Sequence, residues 1–80
     1  MPRIKDISGP HRFFFTSFDC NEPPHVHVEH ENRTCKFWLE LIGLVRNHGF
    51  STRELNMIRR IIATHLAMIM EIWREHCSDQ

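Results

Sequence analysis

Residues able to carry a proton, a charge or a metal ion alternate along His25-Val26-His27-Val28-Glu29. In an extended segment His25, His27 and Glu29 project from one side at intervals of about 6.5 to 7 Å, because side chains on a strand repeat every second residue. Imidazoles so placed are candidates for acid–base work, since the ring titrates near neutrality. Lys36 and Arg12 are candidate contacts for an anion such as a phosphate, and Trp38 offers a flat face on which a base can stack. His25, His27, Lys36 and Arg12 are therefore the candidate catalytic group of a small hydrolase acting on RNA. The wider candidate binding surface is His25, His27, Glu29, Lys36 and Trp38. No metal is expected there. A zinc site draws on three or four ligands, a His-x-His pair recurs by chance, and a lysine beside the pair opposes a dication. No cofactor is expected either, and a polar sheet face bathed in water would carry the same residue types.

Positioning such a face requires a strand with a partner. After Glu31-Asn32 the alternation resumes, with Cys35, Phe37 and Leu39 opposing Lys36, Trp38 and Glu40. A two-residue turn at Glu31-Asn32 predicts the pairs Val28 with Cys35, Val26 with Phe37, Glu29 with Thr34, His27 with Lys36 and His25 with Trp38. Both apolar rows then share one face, which a slip of one residue would destroy. The central hairpin is thus predicted over residues 25–40. Upstream, Arg3 to Ile7 reads as a short strand ended by Ser8-Gly9-Pro10, and His11 to Phe18, with four phenylalanines, as the middle strand of the sheet. Asp19 to Pro24 reads as a polar loop whose prolines deliver the chain already extended.

Leu41 to Phe50 is ambiguous between strand and helical turn, and either way it is a segment that could cover a neighbouring surface. Ser51-Thr52-Arg53-Glu54 has the form of a capping box. Beyond it no Gly or Pro intervenes through Cys77, and Leu55, Ile58, Ile62, Leu66, Ile69 and Trp73 recur at spacings of three and four, predicting one long helix over residues 52–77. Flanking apolar residues widen its arc to roughly 220° at 100° per residue, more than a small sheet covers. Met57, Ile61, Met68 and Ile72 lie along one edge of that arc, so a homo-oligomer or a small partner protein is expected to dock on this helix.

The expected architecture is α+β: an antiparallel sheet of three or four strands packed on one C-terminal helix, as a single domain over residues 1–80. With 80 residues, 41% hydrophobic and 25% charged, the composition is that of an ordinary folded domain and argues against disorder. Ten Lys and Arg against ten Asp and Glu leave no bulk positive field for a nucleic acid backbone, so RNA binding would need a local patch. Cys20, Cys35 and Cys77 are odd in number and widely spaced, which points to a reducing cytoplasm rather than a stapled secreted scaffold. No apolar run reaches the roughly 18 residues of a membrane span, and none resembles an export signal.

The run Phe13-Phe14-Phe15, then Pro23-Pro24-His25-Val26-His27-Val28-Glu29, Lys36-Phe37-Trp38-Leu39 and Gly49-Phe50-Ser51 followed by Glu54-Leu55, resembles the bacterial family known as domain of unknown function 4160. The resemblance spans nearly the whole chain. It implies a small protein whose gene often neighbours that of another short uncharacterised family, in an arrangement like a toxin–antitoxin pair. The chain departs from the family pattern in two places: Glu31-Asn32 stands where a Gly-rich turn is common, and Met, Ala and Ile replace charged residues late in the helix. The leading functional expectation is a non-enzymatic interaction module, one half of such a two-gene pair, with the histidine-dependent RNA hydrolase as the alternative.

Overall fold

The computed structural model describes residues 3–4, 7, 9–16 and 19–78. Five antiparallel strands form a meander in simple sequence order: β1 (Arg3–Ile4), β2 (Arg12–Phe14), β3 (His25–His30), β4 (Arg33–Trp38) and β5 (Gly43–His48). A turn of 3-10 helix covers Asp19–Asn21, and the chain ends in α1 (Thr52–Thr64) and α2 (Leu66–Ser78). The α+β class therefore holds, with two corrections.

The first concerns the sheet, which has five strands rather than three or four. The additional strand is β5, the segment whose sequence was ambiguous. It pairs with β4 through Trp38–Gly43 and Phe37–Leu44, then again through Lys36–Arg46, so that Val45 is an extra, bulged residue. Leu41 turns the chain with φ 53° and stands 97% exposed. The strand expected at Arg3 to Ile7 is Arg3–Ile4 in the described residues, and Lys5 and Asp6 lie outside them. The strand expected over His11 to Phe18 is Arg12–Phe14, with Ser17 and Phe18 outside the described residues; it lies second in the sheet, and β3 is the central strand.

The β3–β4 hairpin has the predicted register, from His25–Trp38 through Val26–Phe37, His27–Lys36 and Val28–Cys35 to Glu29–Thr34. Glu31 adopts φ 58° to make the two-residue turn, a conformation whose strain the matched apolar rows on both strands offset. Those rows build the core. Val26, Val28, Cys35, Phe37 and Leu39 are buried with Phe13 and Phe15 from β2 and its extension, against Ile58 and Ile62 of α1 and Ile69 and Trp73 of α2. Each such side chain contributes about 1.5 to 3 kcal/mol by leaving water.

The second correction is that the helix is interrupted at His65. The residue leaves helical geometry at φ −108°, ψ 17°, and the Ile61 carbonyl accepts from both the His65 amide (3.1 Å) and its ring Nδ1 (2.9 Å). A side chain entering the i to i−4 ladder is a recognised cause of helix breaks. The start of α1 follows the capping expectation in one half only. Ser51 Oγ accepts from the Glu54 amide at 3.2 Å, but the Glu54 carboxylate turns away to bond His11 Nε2 and Arg33 instead. Gly49, at φ 103°, makes the turn into this cap; a Cβ there would lie 2.7 Å from Arg33 Cγ.

Candidate functional site

The face of the sheet opposite the Val26 and Val28 row carries the residues singled out by spacing, but it is not an open polar surface. His25 has no solvent exposure, and Lys36 is also buried. The turn through Asp19–Asn21 and the Pro23-Pro24 segment fold back over the end of β3, where the Leu39 amide donates to the Pro24 carbonyl at 3.0 Å. The rings of Trp38 and Trp73 stand 5.9 and 5.3 Å from that of His25. A solvated histidine face was the default expectation, and it fails at His25 because the loop that looked like a connector is a cover.

Asp19 is the centre of this arrangement. Its Oδ1 accepts from the Thr16 hydroxyl at 2.7 Å and its Oδ2 from the Thr16 amide at 2.6 Å. His27 Nε2 donates to Oδ1 at 3.1 Å, and His25 Nε2 lies 3.0 Å from the same oxygen. Burial works to raise the Asp19 pKa, but the bonds from the Thr16 hydroxyl and amide and from the His27 ring outweigh it and hold the carboxyl down at about 2. Cys20, the next residue, is disulfide-bonded to Cys77 near the end of α2, with Cα atoms 5.6 Å apart. With this pairing the cysteine argument for a reducing compartment falls away. The third cysteine, Cys35, is buried as expected of a core residue, and burial pushes its thiol up to about 12.

The remaining candidates are placed separately. Lys36 Nζ donates to Glu22 Oε1 at 2.6 Å and sits 5.5 Å over the Trp38 ring. Arg12 pairs with Glu29 at 3.2 Å across β2 and β3. A shallow basin of about 200 Å³ lies farther along the same face, lined by Phe14, His27, Lys36, Arg46 and His48 among others. His27 faces it with its ring stacked on Phe14 at 5.3 Å. The structure thus joins His27 and Lys36 at one basin, but it leaves Arg12 tied to Glu29 and His25 enclosed.

A second cluster lies on the helix side of the sheet, at the start of α1. His11 Nε2 donates to Glu54 Oε2 at 3.1 Å, Arg33 donates to Glu54 Oε1 and to His30 Nδ1 at 3.3 Å each, and His30 Nδ1 is 3.6 Å from Glu54. The hydrogen bond from His11 holds the Glu54 carboxyl below its usual range against the opposing effect of burial, and the Arg33 charge and His30 add to it.

Of the helix stripe, Met57 is 46% exposed, whereas Ile61, Met68 and Ile72 are half-buried and pack on the core. Other exposed apolar side chains lie elsewhere: Leu41, Leu44 and Val45 in and before β5.

Sequence reading missed Asp19, Thr16, His11, His30 and Glu54 as members of polar clusters. Among the described residues no helix is long and apolar enough to cross a membrane. Comparison with curated proteins and with solved structures gave no match. The family model described as Domain of unknown function (DUF4160) matches residues 11–74, which takes in every strand from β2 to β5, the Asp19 turn and both polar clusters, and the chain belongs to that family.

Proposed function

We propose that this protein acts by binding another protein, as one half of a two-protein, toxin–antitoxin-like regulatory pair. The observation that carries the reading is the outer edge of β5. Among the described residues β5 is the last strand of the sheet, with β4 on one side only, and every residue of it after Gly43 is exposed. An unpaired edge of this length is a template for another strand. Leu44 and Val45 lie on it and Leu41 just before it, so a partner strand would bury apolar side chains as well as pair backbone groups. Arg46 and His48 lie along the strand, and Arg59 of α1 reaches the Ile42 carbonyl beside it. The occupant that fits is an extended segment with acidic and apolar residues. Met57 on the exposed side of α1 would extend the contact, while the half-buried Ile61, Met68 and Ile72 would contribute less than their positions on the helix wheel imply.

The RNA hydrolase alternative has weaker support. Its proposed base His25 is enclosed, and Lys36 and Arg12 are committed to Glu22 and Glu29.

Titration calorimetry of the full chain with the product of the neighbouring gene tests the proposal. Binding is expected, with Leu44→Glu and Arg46→Glu each weakening it at least about tenfold, the effect of roughly 1.4 kcal/mol. Binding untouched by both substitutions, or turnover of RNA by the purified chain that His27→Ala abolishes, would overturn it.

A further inference from the structure

We propose that Asp19, His25 and His27 form a zinc site, with Oδ1 of Asp19 and Nε2 of each histidine as ligands and a fourth position open toward the side of His27. The sequence expectation set metal aside on two grounds: too few ligands and an adjacent lysine. The fold alters both. Asp19 supplies a third ligand from a separate turn, and the three ligand atoms lie within 4.8 Å of one another. Lys36, the lysine in question, is turned to Glu22 at 2.6 Å, which offsets its charge.

The decisive detail is the proton on His25. Its Nδ1 is 2.9 Å from the Pro23 carbonyl, a group that only accepts, so Nδ1 carries the hydrogen. In the neutral ring Nε2 is then a bare lone pair. It is fully buried, makes no hydrogen bond among the described residues, and points into a site where the Asp19 Oδ1 stands 3.0 Å away. Two electron-rich atoms facing each other at that distance, out of water, repel unless a positive centre lies between them. Among the described residues no hydrogen bond from His25 Nε2 satisfies the carboxylate. A metal ion answers the geometry directly.

The surroundings are those of a ligand set held in place. Metal-bound histidines commonly donate their second ring nitrogen to a carbonyl, as His25 does to Pro23, and ligating carboxylates are themselves hydrogen-bonded, as Asp19 is by Thr16. The Cys20–Cys77 bond anchors the turn that carries Asp19. Zinc bonds of about 2.0 to 2.1 Å put neighbouring tetrahedral ligands roughly 3.3 Å apart, so the 3.0 and 3.1 Å separations need to open by only a few tenths of an ångström. On binding, the proton that His27 Nε2 shares with Asp19 moves to Nδ1, leaving both Nε2 lone pairs to the metal. Side chains of the same types at His11, His30 and Glu54 do not make an equivalent site, because Arg33 already donates to His30 Nδ1 and to Glu54 and brings a positive charge with it.

The test is titration of the chelator-stripped full chain with zinc alone, read by calorimetry and by melting temperature, with cobalt absorption reporting the coordination sphere. One equivalent is expected to bind and raise the melting temperature saturably. His27→Ala and Asp19→Asn should each weaken binding by more than about 100-fold, and Thr16→Val by about 10- to 100-fold through loss of carboxylate support. His30→Ala should leave it within about threefold. Circular dichroism establishes that each variant is folded, and two independent ligand variants guard against one that is not. Absence of saturable binding to the parent chain, binding that survives both His27→Ala and Asp19→Asn, or binding that His30→Ala abolishes would each overturn the assignment.

Discussion

Reduction of the Cys20–Cys77 disulfide is expected to be the largest single loss of stability available without touching the core. The bond joins residues 57 apart in sequence, and the loop-entropy relation for a closure of that length gives about 4 kcal/mol at 25 °C. A chain of 80 residues has on the order of 4 to 12 kcal/mol in total, so the bond accounts for a third of it or more. The native seam it crosses has further ties: His76 Nε2 donates to the Thr16 carbonyl at 2.9 Å, and Phe15 packs edge-on against Trp73 at 5.3 Å. Reduction should therefore leave the fold intact and act on the unfolded chain, which gains the freedom the cross-link had removed. Thermal melts followed by circular dichroism, with and without reductant and for the Cys20→Ser/Cys77→Ser variant, measure the effect. At about 4 to 8 °C per kcal/mol for a domain this size, the midpoint should fall by roughly 15 to 30 °C. A fall under about 4 °C, with thiol titration confirming that reduction was complete, would refute the reasoning.

Thiol counting gives a second expectation: the folded chain should resist alkylation near neutral pH, since Cys35 is buried with its thiol pushed up to about 12, and one thiol should react on unfolding without reductant and three with it. Ser51→Ala should cost about 1 kcal/mol in a denaturant melt, because it removes the acceptor for the Glu54 amide at the start of α1; a change near zero would show that the cap contributes nothing. Glu54 titrates lower in the folded chain than in the unfolded one, facing His11, His30 and Arg33. Its contribution is thus complete above the ordinary glutamate value of about 4.3 and is lost as pH falls through the depressed folded value. Melting curves from neutral pH into acid should show Glu54→Gln converging on the parent in that range, and a constant gap between them would contradict the assignment.

The local pattern of residues determined the parts of this protein in which one periodicity decides both face and partner. A strand repeats every two residues, so the alternation on either side of Glu31-Asn32 specified every pair from His25–Trp38 to Glu29–Thr34, and the three-and-four spacing found Ile58, Ile62, Ile69 and Trp73 as the buried helix stripe. The Ser51 cap was legible for the same reason: it joins residues three apart. Tertiary structure alone decided what depends on distant segments meeting. Nothing within β3 reveals that Asp19 returns over His25, or that Glu54 leaves its cap for His11 and Arg33, since such polar contacts are satisfied by whichever group the fold brings near. The exposure of β5 turns on the sheet ending there. Cysteine spacing carries no distance information across 57 residues, so the Cys20–Cys77 pair, and with it the anchoring of the Asp19 turn, became visible only once β3, the covering turn and α2 had been brought together.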